Sequence, residues 1–139
     1  MNHSRLTAEQ LPDDEGCKVY HLKMKMPPLI SNRSIITTFY ETESDDGYRQ
    51  VFHSSTGNEA IVDARKAEHI KKDTVATMIL TYMASKPYEG GMELNQIIAL
   101  DIAGRIPDFI KNKIATRLSN IGMQLADYVM HGTVPKALL

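Results

Sequence analysis

The stretch Glu93–Tyr128, ELNQIIALDIAGRIPDFIKNKIATRLSNIGMQLADY, changes its period half-way, and that change sets the fold class. Leu94, Ile97, Ile98, Leu100 and Ile102 make a short apolar run suited to a strand over 93–102. Gly104 breaks it. Pro107 then suits a first helical position, and Asp108 suits the positive end of a helix. Ile110, Ile114, Leu118, Ile121, Leu125 and Tyr128 recur at helical spacing as one apolar stripe, with Lys111, Arg117, Asn120, Gln124 and Asp127 mostly off it. The passage predicts a strand followed by a long amphipathic helix over 107–131, with Gly132 as its cap.

Upstream, the chain reads as further strands. Tyr20, Leu22, Met24 and Met26 alternate with Lys23 and Lys25, which predicts a half-buried strand over 17–26. Pro27 and Pro28 end it. Arg33–Glu43 is rich in Ile, Thr, Phe and Tyr, and Ser44–Gly47 is a hairpin turn into a strand from Tyr48 to Ser54. Residues 55–72 do not alternate and read as a long loop with room for a helical turn. Asp73–Ala84 is a fourth strand, and Lys86–Met92, with Pro87, Gly90 and Gly91, is a turn. Residues 1–16 read as a polar arm or a fragment of helix ending in a turn, 17–131 as the folded domain and 132–139 as a tail. Strands followed by one helix indicate an α+β architecture, an antiparallel meander with the helix laid over it.

Composition narrows the function. The 139 residues are 42% hydrophobic and 24% charged, with a formal net charge of −1, and give no electrostatic footprint for nucleic acid. The single cysteine, Cys17, allows neither an internal disulfide nor a cysteine-based zinc site. The first ten residues lack the apolar core of a secretory signal, so an intracellular, cytoplasmic location is expected. No nucleophile elbow, phosphate-binding loop or dinucleotide fingerprint is present. His3, His21, His53, His69 and His131 show no metal-ligand spacing and read as ordinary surface or strand histidines.

Three strings resemble the START superfamily of lipid and sterol transfer domains. The first runs from Met24-Lys25-Met26-Pro27 through Pro28-Leu29-Ile30-Ser31-Asn32 to Arg33. The second is Leu100-Asp101-Ile102-Ala103-Gly104 with Ile106-Pro107. The third is the helix itself, with Asn112, Ala115 and Arg117. The resemblance covers roughly residues 17–131. It implies a helix-grip fold, a curved antiparallel sheet gripping the long C-terminal helix, with one lipid-like ligand between them and no cofactor. A whole domain of that family also has an N-terminal helix and first strands, which have no counterpart here. Ser34 stands where the family usually places an acidic residue.

On this reading the ligand-facing residues are Tyr20, Leu22, Met24, Ile36, Met78, Leu80, Ile98, Leu118, Ile121 and Leu125, and the same residues would equally serve as an ordinary core. Arg33 is expected to brace the mouth of the cavity or meet a head group, with Asp101 as its structural partner. Arg65, Lys66, Lys71 and Lys72 in the 55–72 loop could touch an anionic membrane, although Glu68 and Asp73 dilute them and a solvated face is the plainer reading. The 93–102 strand would be an open sheet edge, predicting a homo-oligomer or a protein partner there. The leading expectation is a lipid-binding or lipid-transfer module rather than an enzyme. The alternative is a non-catalytic interaction subunit reusing a truncated fold.

Overall fold

The computed structural model describes residues 6–120. Contacts divide the chain into two compact units, one ending at Gly104 and one beginning at Arg105.

The first unit is a sheet with one helix. Its elements are β1 (Leu6–Asp14), β2 (Cys17–Met24), β3 (Arg33–Glu43), β4 (Arg49–Ser54), α1 (Glu59–His69), β5 (Thr74–Val75), β6 (Thr77–Tyr88) and β7 (Gly91–Asp101). The strand order is β1-β2-β3-β4-β6-β7, all antiparallel, and β5 pairs in parallel with the start of β3. β3 is shared lengthwise: Arg33–Phe39 pairs with β2, and Thr38–Glu43 pairs with β4. Where β4 ends, Ser55 takes over. Its hydroxyl donates to the Ile36 carbonyl at 2.7 Å and accepts the Met78 amide at 3.1 Å, joining β3 to β6.

Two hairpins are closed by Glu-Gly pairs. Glu15-Gly16 and Glu89-Gly90 all have positive φ, and Asp14–Cys17 and Tyr88–Gly91 are the closing pairs. Two left-handed residues match the right-handed twist of the flanking strands, and glycine takes the second position without steric cost.

Four segments differ from the sequence expectation. The expected single strand at 73–84 divides at Ala76 into β5, which turns to pair with β3, and β6, which runs on to Tyr88. The expected arm at 1–16 contributes β1, because Leu11 is buried and its strand ladders onto β2. The expected loop at 55–72 contains α1. That helix buries only Val62, too narrow a stripe to register as periodicity, yet Ala60, Ala64, Ala67, Arg65 and Lys66 are good helix formers. Ion pairs at i,i+3, Asp63 with Lys66 and Arg65 with Glu68, lie along it. The expected turn at 86–92 is mostly strand. Pro87 is tolerated in β6 because β4 stops pairing at Ser85, so Pro87 has a neighbour, Met92, on one side only.

The second unit contains α2 (Asp108–Ser119), which buries Ile110 and Ile114 and half-buries Leu118, the first half of the predicted stripe. Asp108 occupies its first turn and Arg117 its last, both matched to the helix dipole. Ile121, Leu125 and the predicted helix beyond residue 120 lie outside the described residues. No helix among the described residues is long and apolar enough to cross a membrane.

Candidate functional site

Pairing fixes which side chains share a face of the sheet, because directly opposed residues of an antiparallel ladder point the same way. The first face packs on α1. Leu11, Val19, Ile36 and Val62 form its core, with Ile61 and Ile70 against them. The second face carries Ile35, Ala76 and Met78, with Leu22, Ile98 and Leu100 packed alongside. Tyr20 and Met24 belong to this second face, because they alternate with Leu22.

Tyr20, Leu22, Met24, Met78 and Ile98 thus come together as expected, but Ile36 and Leu80 do not. Ile36 pairs with His21 and lies in the α1 core; its neighbour Ile35, opposite Leu22, takes the place expected of it. The reason is that β3 is buried on both faces from Arg33 to Thr38, so no alternation reveals its parity. Leu80 is displaced by a β-bulge. Met78 pairs with Leu100, but Leu80 pairs with Ala99, so one extra residue at Ile79 turns Leu80 to the α1 side.

Sequence reading also missed the aromatic middle of the second face. Phe39 opposes His53, and His53 opposes Thr81, which opposes Ile98. Tyr20, Phe39 and His53 meet edge-to-face, with centroids 5.7, 5.3 and 4.8 Å apart. His53 Nδ1 lies 3.4 Å from the Thr37 hydroxyl, and burial lowers the His53 pKa. The face therefore grades from the apolar group around Leu22, Met78 and Leu100 to a polar, aromatic patch at Tyr20, Thr37 and His53. Period-two reading of β4 places His53 two residues from Val51, but only the ladder shows which face that is.

Arg33 sits at the start of β3 and is almost wholly buried, 4% exposed. Its Nε donates to the Ile102 carbonyl at 2.8 Å, one terminal nitrogen donates to the Ala103 carbonyl at 2.9 Å, and the other donates to the Ser31 carbonyl. Gly104, at φ +74°, completes the wrap; a Cβ there would stand 3.0 Å from the guanidinium. Asp101 is not its partner. The Asp101 carboxylate accepts the Ala103 amide at 2.9 Å, and Arg33 forms no ion pair among the described residues. Arg33 is therefore a brace between the start of β3 and the turn after β7. In the preceding 25–32 loop the Met26 amide donates to Asn32 Oδ1 at 3.0 Å, and Leu29 stands fully exposed at φ +73°.

The position after the arginine regains its acid from elsewhere. The Ser34 hydroxyl donates to Asp73 Oδ2 at 2.7 Å and lies 3.0 Å from His21 Nε2. Its one proton goes to Asp73, so His21 Nε2 is the donor to Ser34. Burial lowers the His21 pKa, with Lys23 and His69 in support and Glu9 and Asp73 opposed. Serine stands between the acid and the imidazole, and it is 1% exposed. Serine nucleophile chemistry needs the imidazole in the middle, accepting the hydroxyl proton, so this triplet is a buried polar tie. No cluster of metal-ligating side chains occurs among the described residues.

The basic residues of the expected 55–72 loop are largely engaged. Arg65 pairs with Asp14 and Glu68, Lys66 with Asp63, and Lys71 Nζ donates to the Ala67 carbonyl. In the second unit an open groove is lined by Phe109, Asn112, Lys113, Thr116, Arg117 and Asn120.

The bulged, mainly antiparallel sheet followed by a helix can now be compared with known structures. The chain is similar to the human StarD13 (DLC2) lipid transfer and protein localization domain, at a TM-score of 0.57 and 13% identity over 78% of this chain. This chain carries part of a START-like fold. It spans about half of that domain's chain, 53% of its length. No protein-family profile and no curated protein matches it by sequence. At this identity the similarity concerns the fold alone.

Proposed function

We propose that the chain holds one lipid-like molecule, such as a sterol or a phospholipid, against the sheet face opposite α1. One observation carries this reading. That face presents a contiguous apolar group in which Leu22, Ile98 and Leu100 stay partly exposed around Ile35 and Met78, whereas the four residues at the centre of the α1 face, Leu11, Val19, Ile36 and Val62, are at most 4% exposed. A concerted apolar surface graded into a few convergent polar groups is what an amphipathic ligand needs. The tail would lie on Leu22, Met78, Ile98 and Leu100, and a polar group would reach Tyr20, Thr37 or His53. The human domain it is similar to is described as a lipid transfer domain, which supports the ligand class. Leu29, fully exposed at its loop tip, is an apolar side chain available for contact with a donor bilayer.

Native mass spectrometry of gently purified protein, joined to titration with a fluorescent sterol and a fluorescent phospholipid, tests this. The expected result is one retained lipid-sized mass per chain and saturable binding of one of the two probes. Absence of both overturns the reading.

A further inference from the structure

The two edges of the sheet are built in opposite ways. β1 carries the devices that discourage strand addition: Glu9, Pro12, Asp13 and Asp14, and a break in register between Leu11 and Asp14. β7 contains no proline, and its two charges, Glu93 and Asp101, lie near its ends. It runs eleven residues, pairs only with β6 among the described residues, and from Leu94 to Leu100 contains neither a charge nor a proline. The bulge in its ladder belongs to β6, so β7 stays regular. Ile97 on this strand is 58% exposed. A long, regular, uncharged edge is a template for another strand.

We propose that β7 pairs antiparallel with β7 of a second copy, about a two-fold axis through Gln96. The sequence is self-complementary in that register. Leu94 opposes Ile98 of the second copy, Met92 opposes Leu100, Asn95 opposes Ile97, and Gln96 opposes itself. Both copies keep the same face up, so the apolar residues of the second face continue across the junction. The charges fall harmlessly: Glu93 opposes Ala99, and Asp101 opposes Gly91. No like charges meet directly, the arrangement that penalises a cross-strand pair. Pairing of β7 with β1 of another copy would instead propagate without closing, and the charges, proline and register break of β1 oppose it. The isologous pair closes as a dimer with a continuous sheet.

Sedimentation of the full 139-residue chain at tens of micromolar is expected to show a dimer. Gln96→Lys sets two ammonium groups across the axis and should raise the dissociation constant about two- to fivefold. Mixing Gln96→Lys with Gln96→Glu should restore dimers, as the mixed species only. In a Cys17→Ser background, Gln96→Cys should oxidise to a covalent dimer, because opposed Cα atoms in an antiparallel ladder lie about 4.5–5.5 Å apart, within disulfide reach. Glu93→Cys, opposite Ala99, should not. A monomeric wild-type chain overturns the proposal. So does a dimer that fails to cross-link through Gln96→Cys, even if the charged variants do not fold.

Discussion

The two faces of the sheet are made by alternate residues of the same strands, yet they do different work. On the α1 side, Val19, Ile36 and Val62 are at most 1% exposed and interlock around one short helix. On the other side, Leu22, Ile98 and Leu100 gather around Ile35 and Met78 without being sealed, and aromatic and polar groups lie beside them. Neighbouring positions on one strand, Ile35 and Ile36, thus belong one to a candidate ligand wall and the other to a structural core. Apolar character alone does not distinguish the two roles; the ladder partner does.

The comparison is open to attack from both sides. The largest expected effect is on the α1 side, where Ile36→Ala should cost about 2–5 kcal/mol through lost transfer energy and a residual cavity. Lipid affinity should stay the same, and chemical denaturation with a parallel lipid titration checks both. An unchanged midpoint would erase the contrast. Arg33→Met keeps much of the volume but strips three carbonyls of their donor, and should lower stability by about 2–3 kcal/mol. If Arg33 met a ligand head group instead, affinity would fall as well.

Next in size is Ile98→Asn on the open face. It should weaken lipid binding about tenfold, roughly 1.4 kcal/mol, with less loss of stability than Ile36→Ala, since Ile98 is half-exposed. A smaller effect concerns pH. His21 on the α1 face and His53 on the open face both titrate below their ordinary 6.5, chiefly because burial disfavours the charged imidazolium. As pH falls below about 6.5 the unfolded chain takes up protons that the folded chain refuses. Stability should therefore fall with falling pH and level off only below the folded-state values. Urea unfolding at several pH values reads this. His53→Phe should remove the part of the slope that belongs to the open face and leave the part due to His21.

Much of the fold was legible in order and period. The strand from Arg33 to Glu43 has the predicted bounds, and the strand at Cys17 and the β7 strand differ by one or two residues at their ends. The strand-then-helix order and the first turns of α2, with Ile110 and Ile114 buried, followed from spacing. The candidate wall was legible in part, since Leu22, Met24 and Met26 alternate with Lys23 and Lys25. α1 was not, because one buried valine leaves no stripe to detect.

What the sequence determined by itself was the inventory: alternating strands, the Ser44–Gly47 hairpin turn, an α+β order and enough apolar residues for two faces. Local chemistry suffices for these, because period, turn conformation and helix dipole act within a few residues. Only the tertiary structure decided which residue belongs to which face. Ile35 and Ile36 are equally buried, and a single extra residue at Ile79 reverses the parity of everything before it on β6. Likewise, only the folded chain brings Arg33 to the carbonyls of Ile102 and Ala103, nearly seventy residues away, and Asp73 to Ser34. Facing is set by hydrogen-bond register between strands distant in sequence, and no periodicity within one strand encodes it.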